Sequence, residues 1–216
     1  MAIPRAEPYV WTTWVTRLMA GEATCEWAAW FRAHHTYDRL PSDFNLAKWT
    51  MEHTALLREH VVALRADGYD VFAEEQNAFK MRGQRGVTLS GKPDIVALRD
   101  NTLLVIDCKT GQPRHSDHIQ VLVYMLILPY VRALWKGRDF CGRVQYKDNA
   151  VEIPGAAVDD AFRTLFRHTM TQVGGDHALT RVPSYTECRY CDISRGDCPQ
   201  RIDEPPLDVE PEHDLF

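Results

Sequence analysis

Gly91-Lys92-Pro93-Asp94-Ile95-Val96 and Leu104-Val105-Ile106-Asp107-Cys108-Lys109 are the two segments from which the rest of the chain is read. The first ends in the apolar strand residues Ile95-Val96, the second opens on Leu104-Val105-Ile106, and the polar turn Arg99-Asp100-Asn101 lies between them. The pattern predicts strands over 87–98 and 102–108. Paired, they bring Asp94 and Asp107 to one end of a sheet. Asp107 and Lys109 are two residues apart, so they share a strand face, and Cys108 points to the opposite face, into the core. Two carboxylates and an ammonium in one place suit phosphodiester hydrolysis. Hard oxygen ligands bind Mg²⁺ or Mn²⁺, the ion activates water and offsets phosphate charge, and a nearby Lys stabilises the transition state. Each residue alone would read as a strand-end charge with a salt bridge. The three together at this spacing favour the catalytic reading.

On the N-terminal side of these segments, residues 9–35 read as one or two helices, with Trp14, Leu18, Trp27, Trp30 and Phe31 as apolar faces. From 45 to 66, Leu46, Trp49, His53, Leu56, Leu57, His60, Val61 and Leu64 recur at helical steps until Asp67-Gly68. Strand signals follow over 69–80. On the C-terminal side come a helix over 118–131 with a late Pro129, a hairpin at 142–145 and 151–153, a helix over 156–172, and a Cys-rich end. Cys141 reads as a buried apolar residue at a strand start. This order predicts an α/β (α+β) mixed sheet flanked by helices.

Asp94 followed by Asp107-Cys108-Lys109 resembles the PD-(D/E)xK nuclease superfamily, whose pattern is an acid on one strand and Asp/Glu-x-Lys on the next. Gln120 and Tyr124, four apart on the following helix, share one face. They are similar to the Gln-x-x-x-Tyr motif of the RecB-type branch, which implies contact with the nucleic-acid backbone and support of the site. That branch also implies a His metal ligand on the helix before the sheet. His53 fits its place near the helix start, with His60 seven residues on as the alternative and Glu52 and Glu59 as supporting groups. The resemblance thus implies catalytic Asp94, Asp107, Lys109, Gln120 and Tyr124. It implies a metal held by His53, Asp94, Asp107 and the Cys108 carbonyl.

Six cysteines are too sparse for a disulfide scaffold. Cys188-x2-Cys191-x6-Cys198-Pro199 has soft-metal spacing and lacks a fourth local ligand, leaving Cys25, Cys108 and Cys141 as candidates. One N-terminal Cys with a C-terminal trio resembles the iron–sulfur members of the RecB-type nucleases, among them the Cas-four CRISPR exonucleases and the AddB nuclease domain. By that resemblance, which spans Trp11 to Pro199, Cys25, Cys188, Cys191 and Cys198 bind a four-iron four-sulfur cluster, for which four thiolates are the usual ligand set. The cluster joins the N- and C-terminal regions around the nuclease core. The x6 gap and Glu26 after the first Cys depart from the family pattern, and zinc on the same thiolates is the alternative. The implied organisation is one domain over 1–201, with cluster parts at 9–40 and 176–201, a core at 45–175, and an acidic tail at 202–216 expected to be disordered.

The net charge of −5 is located in that tail; residues 1–201 hold 25 basic and 24 acidic groups. Lys80, Arg82, Arg85 and Lys92, with Arg114 further on, are candidate phosphate contacts, and Trp11, Trp14, Tyr130 and Trp135 candidate stacking residues. The longest apolar run, Val121 to Val131, is 11 residues, too short to span a bilayer, and a cytoplasmic location is the default. No Gly-x4-Gly-Lys-Ser/Thr motif is present, so ATP is not expected. The resemblance implies DNA as partner, single-stranded by preference, and a role in CRISPR adaptation beside an integrase, in antiviral defence, or in repair and recombination. A non-catalytic DNA-binding subunit of a larger complex is the alternative.

Overall fold

The structure, a computed structural model, describes residues 2–42, 44–83 and 85–206. The acidic tail expected at 202–216 lies outside them from residue 207 on. The elements in chain order are β1 (Ile3–Pro4), β2 (Tyr9–Trp11), α1 (Thr12–Met19), α2 (Glu26–His34), β3 (His35–Thr36), α3 (Leu46–Ala66), β4 (Asp70–Ala73), β5 (Phe79–Arg82), β6 (Thr88–Gly91), β7 (Ile95–Arg99), β8 (Thr102–Lys109), α4 (His115–Ile127), β9 (Asp139–Tyr146), β10 (Ala150–Ile153), α5 (Asp160–Val173) and α6 (Tyr185–Cys188).

The central sheet runs β10-β9-β8-β7-β4; β8 and β9 are parallel and the other pairs antiparallel. A second sheet, β2-β6-β5, and the two-stranded pair β1-β3 complete the β structure of the described residues. This is the mixed sheet with flanking helices that the sequence predicts. Strand alternation divides the core. On β8, Leu103 and Val105 join the cluster formed with α1, α4 and α5, while Leu104, Ile106 and Cys108 face α3. Helix α3 begins at Asn45, whose side chain accepts a hydrogen bond from the Lys48 backbone N–H at 2.9 Å. It buries Leu56, Leu57, Val61 and Leu64 against that second face. It ends before Gly68, which adopts the left-handed φ of +82° that a helix stop favours.

One expected strand is two. Residues 87–98 divide into β6, in the small sheet, and β7, in the central one. Pro93 has no N–H for a ladder, so the chain leaves one sheet at Gly91 and enters the other at Ile95. Gly91 is required at the exit, because a Cβ there would lie 2.7 Å from the Phe79 ring and from Thr12 Oγ1. The 69–80 strand likewise divides into β4 and β5 around a 3-10 turn. The first helix of the 9–35 region starts only after the short strand β2. The helix expected from residue 118 starts at His115 and gives way at Leu128–Tyr130 to a 3-10 turn containing Pro129. The helix expected from 156 starts at Asp160, because Asp159 caps it by accepting from Phe162 N at 2.8 Å. Cys141 lies in β9, only partly buried against the α3 side of the sheet.

Candidate active site and cysteine cavity

Ile95 pairs with Ile106 in the β7–β8 register, which brings Asp94, just before β7, beside the C-terminal end of β8. Asp94 Oδ2 accepts from the Cys108 backbone N–H at 2.7 Å. The His53 Nε2 of α3 lies 3.1 Å from the same oxygen. That contact raises the His53 pKa above its ordinary value despite the burial that opposes it. Glu74 adds to this shift from the turn after β4, where it adopts a left-handed φ of +47° and its N–H bonds the Asp94 carbonyl.

Asp107 is 2% exposed. Burial pushes its carboxyl up to about 6, against the pull of Lys109, whose Nζ lies 2.6 Å from Oδ2. Lys109 is itself raised: burial would lower it, and the Asp107 charge overrides that. Gln120 on α4 ties the group together. Its amide accepts from Lys109 Nζ and donates to Asp107 Oδ1 and the Tyr124 hydroxyl, each at 3.0 Å. The Tyr124 hydroxyl donates to the Lys92 carbonyl at 3.4 Å.

His53, Asp94, Asp107, Cys108, Lys109, Gln120 and Tyr124 therefore line one open cavity of about 700 Å³. Glu52, Lys92 and Trp11 line it as well. The other expected residues lie elsewhere. His60 is half-buried one helical stretch away, near the charges of Glu59 and Arg143. Lys80 and Arg82 are on the exposed side of β5, and Arg82 pairs with Glu7. Arg85 lines a separate groove with Tyr130. Arg114 precedes α4, and its backbone N–H bonds Asp117. Trp135 is fully buried in the core, and Trp14 lines the cysteine cavity.

The sequence reading missed three contributors. Asp117 lies 3.9 Å from Lys109 Nζ and accepts from the Tyr146 hydroxyl at 3.0 Å. Its place three residues before Gln120 was the available signal, since that puts both on one helix face. Phe44 and Lys48 line the cavity mouth, and neither belongs to a recognisable spacing.

Cys25, Cys188, Cys191 and Cys198 all line a second cavity, of about 440 Å³, between the N- and C-terminal regions. Glu187 closes it by accepting from Thr24 N at 2.8 Å and Cys25 N at 3.3 Å. Arg32 donates to Cys191 Sγ at 3.5 Å and holds Asp192 at 2.8 Å. Burial raises Cys191 and Cys198, with Arg32 and Arg181 acting against it. Cys108 and Cys141 are not among the cavity's lining residues.

Among the described residues, no three His, Cys, Asp or Glu side chains converge as they stand on a point fit for one metal ion. The buried Asp107 carboxylate has the Lys109 ammonium 2.6 Å from Oδ2 and the Gln120 amide on Oδ1, and it feels the charge of Asp94. Two carboxylates with the His53 imidazole beside them, all lining one cavity, are a donor set that fits a hard divalent cation. No helix of the described residues is long and apolar enough to cross a membrane.

A comparison with curated proteins gives no match. Among solved structures, the crystal structure of SSO0001 is 13% identical over 87% of this chain and 84% of that one, with a TM-score of 0.45. A protein-family comparison matches the PD-(D/E)XK nuclease superfamily over residues 11–196, a span that contains Asp94, Asp107 and Lys109, and the chain belongs to that superfamily.

Proposed function

We propose that this protein is a metal-dependent DNA nuclease that degrades single-stranded DNA from an end, with a four-iron four-sulfur cluster joining its terminal regions. The observation that carries the reading is the meeting of Asp94, Asp107 and Lys109 in one open cavity. His53, Asp94, Asp107 and the Cys108 carbonyl would hold Mg²⁺ or Mn²⁺. When bound, the ion supplies Lewis-acid activation of water and neutralises developing phosphate charge.

The chain's own groups do the rest. Lys109, kept protonated by Asp107, donates to the scissile phosphate and stabilises charge there. Gln120 fixes the directions of both Lys109 and Asp107. Tyr124 anchors Gln120 to the Lys92 carbonyl, which ties α4 to the segment between β6 and β7 at the cavity's edge. The four cysteines line one cavity between the terminal regions, and four thiolates are the usual ligand set of such a cluster. The reading places the protein in CRISPR adaptation, where an integrase would be its partner, or in repair and recombination.

The test is cleavage of end-labelled single-stranded DNA by anaerobically purified protein with Mn²⁺, wild type beside Lys109→Ala. Cleavage should fall by at least about a hundredfold in the variant, with circular dichroism unchanged. Equal rates would remove the site assignment. A wild type that binds but does not cut, with visible cluster absorption intact, would instead make the chain a DNA-binding subunit that needs a partner.

A further inference from the structure

The catalytic groups do not account for the side chains at the mouth of the cavity. Phe44 is 59% exposed and Trp49 37% exposed, although both are large and apolar. They are neighbours: the ring centroids lie 6.2 Å apart with a tilt of 54°. Trp49 is also stacked on His53, at 4.8 Å and 24°. His53 in turn contacts Asp94. Three rings therefore lead from the Asp94 carboxylate outward to solvent.

Positive charge lies along the same rim. Lys48 and Lys92 line the cavity with the rings, and so does Asn45, which caps the N-terminal end of the 21-residue helix α3. Glu52 is 3.9 Å from Lys48 and Glu75 is 2.9 Å from Lys92. These pairs are exposed and yield readily to a phosphate. Leu46 and Met51, 63% and 67% exposed, continue the apolar surface along α3 away from the site.

We propose that Phe44 and Trp49 form a stacking platform for the unpaired base beside the scissile phosphate, with Lys48 contacting that nucleotide's phosphate. The platform makes the site selective for single strands. In a duplex the base faces are covered by neighbouring base pairs, whereas an unpaired base can lay its face on an exposed ring. His53 covers one face of Trp49 and so fixes the plane that the base meets. The proposal rests on the nuclease reading of Asp94, Asp107 and Lys109 for the word scissile. The platform itself can be tested without that reading.

The experiment uses the full chain with two probes, a fluorescein-labelled (dT)12 and a blunt hairpin duplex. Anisotropy without divalent metal gives affinity, and cleavage with Mn²⁺ gives kcat and KM. Phe44→Ala should weaken (dT)12 binding and raise its KM by about tenfold, with kcat within about twofold and the duplex unaffected. Phe44→Tyr should restore both, and Trp49→Phe should lie between. Phe44 is exposed, and thermal melting separates a lost contact from a lost fold. If wild type does not cut, the nuclease reading fails, while the anisotropy difference still decides the platform. Equal losses for both probes, a fall in kcat at unchanged KM, or no binding difference would overturn it. A change from dimer to monomer in Phe44→Ala without loss of (dT)12 affinity would also overturn it and make the patch a contact between copies.

Discussion

At Gln120 a single buried amide satisfies three groups of the site, and its two ends are not interchangeable. The carbonyl end faces the Lys109 ammonium and the NH₂ end faces Asp107 and Tyr124. Gln120→Leu keeps most of the volume and leaves Asp107 Oδ1 and the Tyr124 hydroxyl without this donor. We expect a stability loss of about 1–3 kcal/mol and a loss of cleavage of at least about tenfold, read by thermal melting and by kcat with Mn²⁺. Tyr124→Phe removes only the link to Gln120 and to the Lys92 carbonyl. It should cost less in both measurements, and a larger loss than in Gln120→Leu would mean that Tyr124 contacts substrate itself. At this scale the site was largely legible in sequence, because fixed spacings carry it: two residues from Asp107 to Lys109 on a strand, and four from Gln120 to Tyr124 on a helix. Trp49 was read only as one position of a helical face and Phe44 not at all. Their role comes from where the N-terminal end of α3 meets β7 and β8, which no local period encodes.

Among the elements, α4 is the one on which the site depends most, and its two ends make separate demands. Its N-terminus is held by Glu22, whose carboxylate accepts from Ser116 N at 2.8 Å and from Ser116 Oγ at 2.6 Å. Burial would raise Glu22, but those hydrogen bonds, with Arg17 and Arg114, bring it below its ordinary value. A depressed folded-state pKa means that the stabilisation is fully present above the unfolded value and is lost as pH falls through the folded one. Glu22→Gln should therefore lower stability at pH 7 by about 1 kcal/mol and lessen the fall in stability on acidification below pH 4.5. Urea titrations at pH 7 and pH 3.5 check this, and an equal difference at both would sink it. Further along, α4 packs on β9 where Gly142 stands. A Cβ there would lie 2.4 Å from Val121 Cγ1 and 2.7 Å from Met125 Sδ. Gly142→Ala should cost about 1–3 kcal/mol by overpacking and displace the face that carries Gln120, so melting temperature and kcat should fall together. The sequence showed α3, β8 and the β9–β10 hairpin through periodicity. It read β6 and β7 as one strand, because apolar content continues across Gly91-Lys92-Pro93 and only the missing Pro93 N–H marks the break.

Over the whole molecule, the N- and C-terminal regions meet at a small apolar core with polar contacts around it. That core is Trp27, Phe31 and Ile193, with Cys25, Cys191 and Cys198 packed on it. Around it are the bonds from Glu187 to Thr24 and Cys25 and the pair of Arg32 with Asp192. Three buried side chains make this a small core, so a bound cluster would add to what holds the two regions together. If a cluster bridges the four thiols, ligands far apart in sequence must fail as a unit, since binding free energy at such a site is folding free energy. Cys25→Ser and Cys188→Ser, 163 residues apart, should then lose the same visible absorption. Both should expose residues near 25–40 and 180–200 to limited proteolysis together, while the 45–175 region stays resistant. Arg32→Lys keeps a charge and gives up the planar contact to Cys191 Sγ and Asp192. It should retain the absorption and shift the reduction potential of the cluster, because a hydrogen bond to a ligating sulfur is one of the levers that sets it. If Cys25→Ser keeps full absorption, the N-terminal ligand is wrong, and the cavity is closed by Glu187 and the aromatic core alone.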